Sequence, residues 1–331
     1  MKRRDFITLL VGAAAWPLSA RAQQTAMPVI GFLNSYSSSD AFAQRFLAAF
    51  HQGLKQAGYV ENQNVAIEYR WAGSEYERLT ALAAELVRRR VNVITTGSAS
   101  LAVLAAKTAT TTIPVVFLMG GDPVKLGLVA SLNRPGGNLT GITTLNTEIT
   151  PKRVEVLREL VPTTTIMAVL VNPTNNPANV EVELRQAQAA ANSLGLQTIH
   201  ILQASTEADL DGIFSTLMQQ RAGGLVITAD TLFSGKSAEL AALASRHAMP
   251  TISPYREFVT AGGLMSYGGS VTELYRLVGV YTGRVLNGEK PANLPVQQVT
   301  KVDLVINLRT AKALGLTVPP TLLARADEVI E

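Results

Sequence analysis

The chain has 331 residues, with 29 Lys and Arg against 25 Asp and Glu, three His and no Cys. A length of this order makes two domains, each able to bury its own core, and a composition 47% hydrophobic and 16% charged excludes a disordered chain. The missing cysteines exclude disulfides, zinc ribbons, iron–sulfur ligation, thiol catalysis and a lipid-modified cysteine, and three scattered histidines (His51, His200, His247) supply little for a metal site.

Residues 1–22 read as a signal peptide. Lys2, Arg3 and Arg4 precede an apolar run from Phe6 to Trp16, and Ala20-Arg21-Ala22 supplies a small-x-small cleavage pattern. The run is shorter than the roughly 18 residues a membrane-spanning helix needs. Arg3-Arg4-Asp5-Phe6-Ile7 also resembles the twin-arginine export motif. Removal of this segment takes four basic residues and one acidic one, leaving 25 against 24. Nucleic-acid binding then loses its electrostatic support. The remaining basic run, Arg88-Arg89-Arg90, closes a predicted helix, where it complements the dipole.

From Pro28 the pattern alternates. Val29–Leu33 is a buried strand; Phe42, Phe46, Phe50 and Leu54 share a helix face that Gly58 ends. Val65, Ile67, Tyr69 and Trp71 alternate as a strand, Tyr76 to Leu86 returns to helical spacing, and Val91–Thr95 is extended. Leu101–Thr108 reads as helix, Pro114–Leu118 as strand, Pro123–Asn133 as helix and Leu139–Thr143 as strand. Parallel strands need crossovers, so this order gives a doubly wound sheet.

The pattern then repeats, with strands at Ile166–Val171, Thr198–Leu202, Leu225–Thr228 and Pro250–Ser253 and helices at Asn176–Leu194, Glu207–Gln220 and Ser234–His247. A short strand (Gly263–Gly268), an amphipathic helix with Leu274, Leu277, Val278, Tyr281 and Val285 on one face, an extended run around Pro295–Ile306 and a helix from Leu308 complete the chain. If these last pieces return to the first lobe and cross again, three connections form a hinge. The fold class is α/β, two doubly wound Rossmann-like lobes, which such a return would join by a three-strand hinge. The expected lobes are residues 28–144 with about 266–296, and 145–262 with about 300–331.

Catalytic signatures are missing. No G-x-G-x-x-G follows a strand, so a dinucleotide site loses its fingerprint. Gly235-Lys236-Ser237 lacks the upstream glycine of a phosphate loop, there is no G-x-S-x-G elbow, and no cofactor is expected.

In open α/β sheets, ligands sit outside the carboxyl ends of the strands. The loops there are small and polar: Asn34-Ser35-Tyr36-Ser37, Thr96-Gly97-Ser98-Ala99-Ser100 and Gly120-Gly121-Asp122-Pro123, then Asn172-Pro173-Thr174-Asn175-Asn176 and Ala229-Asp230-Thr231. Hydroxyls and free N–H groups at helix starts receive anions, although Ser98, Asn175 and Asp230 equally fit plain helix caps. Two facing sets suit a small zwitterion or carboxylate. Of the aromatics near the strand ends, Tyr36 and Tyr255 follow turn residues and are the cleft candidates, whereas Phe117 reads as core.

The signal MKRRDFITLLVGAAAWPLSARAQ, Gly120-Gly121-Asp122-Pro123-Val124, Gly136-Gly137-Asn138-Leu139-Thr140-Gly141 and Ala313-Leu314-Gly315-Leu316-Thr317-Val318-Pro319 together resemble the ABC-transporter substrate-binding family, in its tryptophan- and tyrosine-binding branch. The resemblance implies a type I periplasmic binding-protein fold and a monomer that hands a small solute to the transporter's membrane subunits, free in the periplasm and without nucleic acid. It also implies that Asn34, Ser35 and Gly97-Ser98-Ala99 hold the ligand's carboxylate. Asp122 would face the cleft and pair with an ammonium, while Asn175, Asp230 and Tyr255 close from the second lobe. Two rivals stand beside it. One is an exported cofactor-containing enzyme, from the twin-arginine likeness. The other is a regulator of the lactose-repressor type, which needs a helix-turn-helix where the signal lies.

Overall fold

A computed structural model describes residues 27–97, 99–144, 146 and 148–331. Residues 1–22, read above as a signal peptide, and Ser98 lie outside the described residues. Among the described residues, thirteen strands divide between a six-stranded and a seven-stranded sheet.

The first half alternates β1 (Val29–Asn34), α1 (Ala41–Gln56), β2 (Ala66–Trp71), α2 (Arg78–Arg88), β3 (Val93–Thr96), α3 (Ser100–Ala109), β4 (Val115–Met119) and β5 (Leu139–Thr143). The second runs α4 (Thr150–Leu160), β6 (Ile166–Val171), α5 (Pro177–Ser193), β7 (Thr198–Gln203), α6 (Ala208–Gln219), β8 (Leu225–Ile227), α7 (Thr231–Gly235), α8 (Ser237–Arg246), β9 (Thr251–Ser253), α9 (Arg256–Thr260) and β10 (Met265–Gly268). The tail comprises α10 (Val271–Leu286), β11 (Gln297–Gln298), β12 (Asp303–Asn307), α11 (Leu308–Ala313), α12 (Pro320–Leu323) and β13 (Glu328–Ile330).

Strand order in the first sheet is β11-β5-β4-β3-β1-β2, parallel throughout. In the second it is β13-β12-β10-β9-β8-β6-β7, parallel apart from the β10–β12 pair. Successive side chains of β1 supply opposite cores. Ile30 and Phe32 pack with Phe46 and Phe50 of α1, while Leu33 packs with Leu79 and Leu86 of α2. The second sheet repeats this, with Met167 and Val169 toward α4 and α5, and Ala168 and Leu170 toward α6 and α8. Being covered on both faces, the central strands read as continuous apolar runs.

The chain passes between the halves three times: after β5, after β10 and after β11. Residues 265–268 belong with the second sheet, because β10 is paired between β9 and β12; the expected return at about 266 begins instead at α10. That helix lies on α1 at unusually close range. A Cβ at Gly279 would sit 2.2 Å from the Phe50 carbonyl oxygen, and one at Gly53 would sit 1.9 Å from that of Arg276. Only glycine at both positions permits the approach.

Two predicted helices differ. Residues 123–133 form turns, with Asp122 Oδ1 accepting from the amides of Val124 and Lys125 and Gly127 at φ +63° breaking any helical run. The predicted helix at Ser234–His247 is split at Lys236, which stands between α7 and α8 and pairs with Glu207 and Glu239. Among the described residues no helix is long and apolar enough to cross a membrane.

Candidate functional site

Both sheets point the carboxyl ends of their strands at one cleft. The first half contributes Tyr36, Ser100, Leu118, Met119, Gly120 and Gly121; the second contributes Asn172, Asn175, Asn179, Val180, Glu183, Asp230 and Tyr255. The crossing segments add Thr144, Asn146 and Gly269, and α10 adds Val271 and Leu274. One wall is aliphatic and the opposite wall is rich in side-chain amides.

The cleft is bridged. The Tyr36 hydroxyl lies 2.8 Å from Ser234 Oγ. The Tyr76 hydroxyl donates to Asp230 Oδ2 at 2.7 Å and stands 2.7 Å from Thr231 Oγ1. Phe42 meets Tyr255 edge-on at 6.2 Å between ring centroids. Each of these contacts joins the two halves, so this geometry is a closed one.

Among the sequence-predicted residues, Tyr36, Asn175, Asp230 and Tyr255 line this space. Asn34 and Ser35 lie beneath it, almost wholly buried. Asn34 donates to the Tyr275 hydroxyl at 3.1 Å and accepts from the Tyr36 amide, which fixes the end of β1 to α10. Gly97 packs against that pair, since a Cβ there would lie 2.4 Å from both Asn34 Nδ2 and the Tyr275 hydroxyl. Ala99 is a core residue beside α3. Asp122 is absent from the lining; its carboxylate holds the turn and stands 3.7 Å from Lys125 Nζ. The Ser35 and Thr96 hydroxyls, both buried, have no hydrogen-bond partner among the described residues, and α3 starts without a side-chain cap. The Ala102 and Val103 amides bond back to the Ala99 carbonyl, which leaves those of Ser100 and Leu101 open to an acceptor.

Several cleft residues escaped the sequence reading. Ser100 and Asn172 sit inside loops already read as polar. Tyr76 lies in the loop after β2, so the strand-end rule reaches it too. Asn146 belongs to a crossing segment. Asn179, Val180 and Glu183 ride on the first turns of α5, among other polar residues that give no spacing signal.

Electrostatics concentrate at two carboxylates. Asp230 is 3% exposed; burial raises its pKa, and hydrogen bonds from Tyr76, Asn172, the Leu232 amide and Asn175 pull it back. Glu183, 4% exposed, accepts a hydrogen bond from the Thr150 hydroxyl. Burial pushes it up to about 7 against the opposing pull of Thr150 and Arg153. Arg153, fully buried, donates to Thr150 Oγ1 (3.0 Å), the Asn146 carbonyl (3.2 Å) and the Tyr267 carbonyl (2.9 Å). It thereby joins the first crossing to the end of β10.

Fold and cleft are those of the two-lobed periplasmic binding-protein fold, with a cleft at the lobe interface. Residues 38–330 match the ABC transporter substrate binding protein family, and the chain belongs to it. A curated relative, a tyrosine-binding protein of Clostridioides difficile, is 26% identical over 81% of this chain and 75% of its own. Two crystal structures share the fold. One is a conserved domain protein from Vibrio cholerae (24% identity, TM-score 0.82), the other an ABC domain from Streptococcus pneumonia in complex with L-Trp (23% identity, TM-score 0.80). Each covers 92% of this chain and 99% of the solved one. A ligand-free, open substrate-binding protein from Clostridium difficile aligns with a TM-score of 0.62 at 21% identity, again over 92% and 99% of the two chains.

Proposed function

We propose that the chain is the periplasmic solute receptor of an ABC importer, a monomer exported by residues 1–22, that traps an aromatic amino acid or a related aromatic acid by hinge closure. The observation that carries this is the cleft itself, shut by hydrogen bonds between halves that three crossings connect among the described residues. A ligand that touches both walls stabilises the closed state over the open one, which is all that a conformational signal to membrane subunits requires. The named relatives, one tyrosine-binding and one solved with L-Trp, support an aromatic amino acid. So do the aliphatic wall of Leu118, Met119, Val271 and Leu274 for a ring, and the open amides at the start of α3 for a carboxylate. On this reading the lobes are residues 28–144 with α10 and β11, and 145–268 with 300–331.

A thermal-shift screen of amino acids, aromatic acids and dicarboxylates tests it. A ligand at 100 times its Kd adds about 2.7 kcal/mol to the native state. Tryptophan, tyrosine or an aromatic acid is expected to raise Tm by several degrees. A shift produced by dicarboxylates alone, or by none of the panel, rejects the solute class.

A further inference from the structure

Among the described residues the cleft lining includes two carboxylates, Asp230 and Glu183, and no Lys, Arg or His. The two differ in how their oxygens are used. Asp230 Oδ1 accepts from the Leu232 amide at 2.8 Å and from Asn172 Nδ2 at 3.2 Å, and Oδ2 accepts from the Tyr76 hydroxyl at 2.7 Å. Its acceptor capacity serves the loop and the opposite lobe. Asp122, the third acidic candidate, is committed to its own turn outside the lining. Glu183 is different. Its Oε1 takes the Thr150 hydroxyl, while Oε2 has no hydrogen bond among the described residues and is not enclosed by protein.

We infer that Glu183 is the residue that selects the solute by accepting from its ammonium group, and that Asp230 serves instead as the acceptor that holds the lobes together. This rests on the solute-receptor reading of the cleft. A nearly buried carboxylate with one open oxygen costs free energy until a donor meets it, and a cationic donor meets it best. With no basic side chain among the described lining residues, a solute without an ammonium leaves Glu183 Oε2 without a cationic partner. A solute's own carboxylate is then confined to neutral donors such as Ser100, the Tyr255 hydroxyl and the α3 amides. The charged groups acting on Glu183 are Arg153 and Asp230. Arg153 reaches it through Thr150, so the carboxylate that would take the ammonium is two hydrogen bonds from the guanidinium that joins Asn146 to Tyr267. Recognition and hinge share one buried chain.

Calorimetric titration of the mature protein with three pairs of probes tests this: tryptophan and tyrosine, tryptamine and tyramine, and the deaminated acids 3-indolepropionate and 4-hydroxyphenylpropionate. The wild type is expected to favour an ammonium-bearing probe over its deaminated counterpart by about thirtyfold or more. Glu183→Gln should erase most of that preference, chiefly by weakening the ammonium-bearing probes, whereas Asp230→Asn should weaken every probe alike. Deaminated acids binding as tightly as the amino acids overturn the role of Glu183 but leave an aromatic-acid receptor standing. Amines binding where amino acids do not would keep Glu183 and reject the amino-acid reading. No binding by any ammonium-bearing probe, or a preference undiminished in a folded Glu183→Gln protein, rejects the assignment outright.

Discussion

Glu183 and Asp230 face one cleft from neighbouring elements, and burial acts on both by disfavouring the charged form. For Glu183 the folded pKa of about 7 lies above the ordinary 4.5. The folded state therefore holds a proton that the unfolded chain has released, and the associated stability is full below about pH 4.5 and lost as pH rises through 7. The size is about 3 kcal/mol. Arg153, lowered to about 10, stays charged across that window. Urea denaturation at pH 4.5, 6 and 8 should show wild-type stability falling relative to Glu183→Gln by roughly that amount. A constant difference across the three pH values would contradict it. At this scale the sequence was partly legible. Tyr36, Asn175, Asp230 and Tyr255 follow strands and reach the cleft, but Asn34, which ends β1, is spent on fixing that strand to α10, and Gly97, which follows β3, packs against the contact. A strand-end position says that a residue is near the ligand space, not which way it points. Glu183 carries no local mark at all, since its meaning depends on Thr150 and Arg153 of another helix.

Elements were legible where period and length agreed. The alternation of apolar runs and four-residue spacings located the strands and long helices, because doubly covered sheets need uniformly apolar strands. Residues 123–133 failed for a physical reason: Asp122 captures the amides of Val124 and Lys125, and Gly127 takes φ +63°, so the chain turns where its apolar spacing looked helical. The contact between α1 and α10 was also hidden, since a glycine inside a helix reads as a weakness until its partner is known. Gly279→Ala would put a methyl 2.2 Å from the Phe50 carbonyl and is expected to cost at least about 3 kcal/mol, because two backbones must separate. Gly212→Ala in α6, with nothing within 4 Å, should be neutral or stabilising by about 0.5–1 kcal/mol. Urea midpoints of the two variants make the comparison, and equal shifts would remove the close helix contact from the account.

At the scale of the whole molecule the question is what keeps two lobes shut that only three crossings join. The tail's topology answers half of it: α10 and β11 return to the first sheet while β10, β12 and β13 complete the second, so neither lobe folds from one continuous segment. The other half lies in the cross-cleft bonds, and Tyr76 makes two of them, to Asp230 and Thr231, while itself 7% exposed. Opening hydrates all three groups; closing without the phenol hydroxyl buries Asp230 with one donor fewer. Tyr76→Phe therefore penalises the closed state and leaves the open one nearly untouched, by about 1.5–3 kcal/mol for a hydrogen bond to a charged group. Since a ligand must then draw its binding-competent state from a smaller population, its affinity falls by the same factor, on the order of ten- to a hundredfold. Small-angle scattering should register a larger radius of gyration for the ligand-free variant than for the wild type, and saturating ligand should bring the two curves together. Superimposable scattering curves with unaltered affinity would mean that closure is held elsewhere, and the bond between Tyr76 and Asp230 would be a passenger of the closed geometry instead of one of its causes.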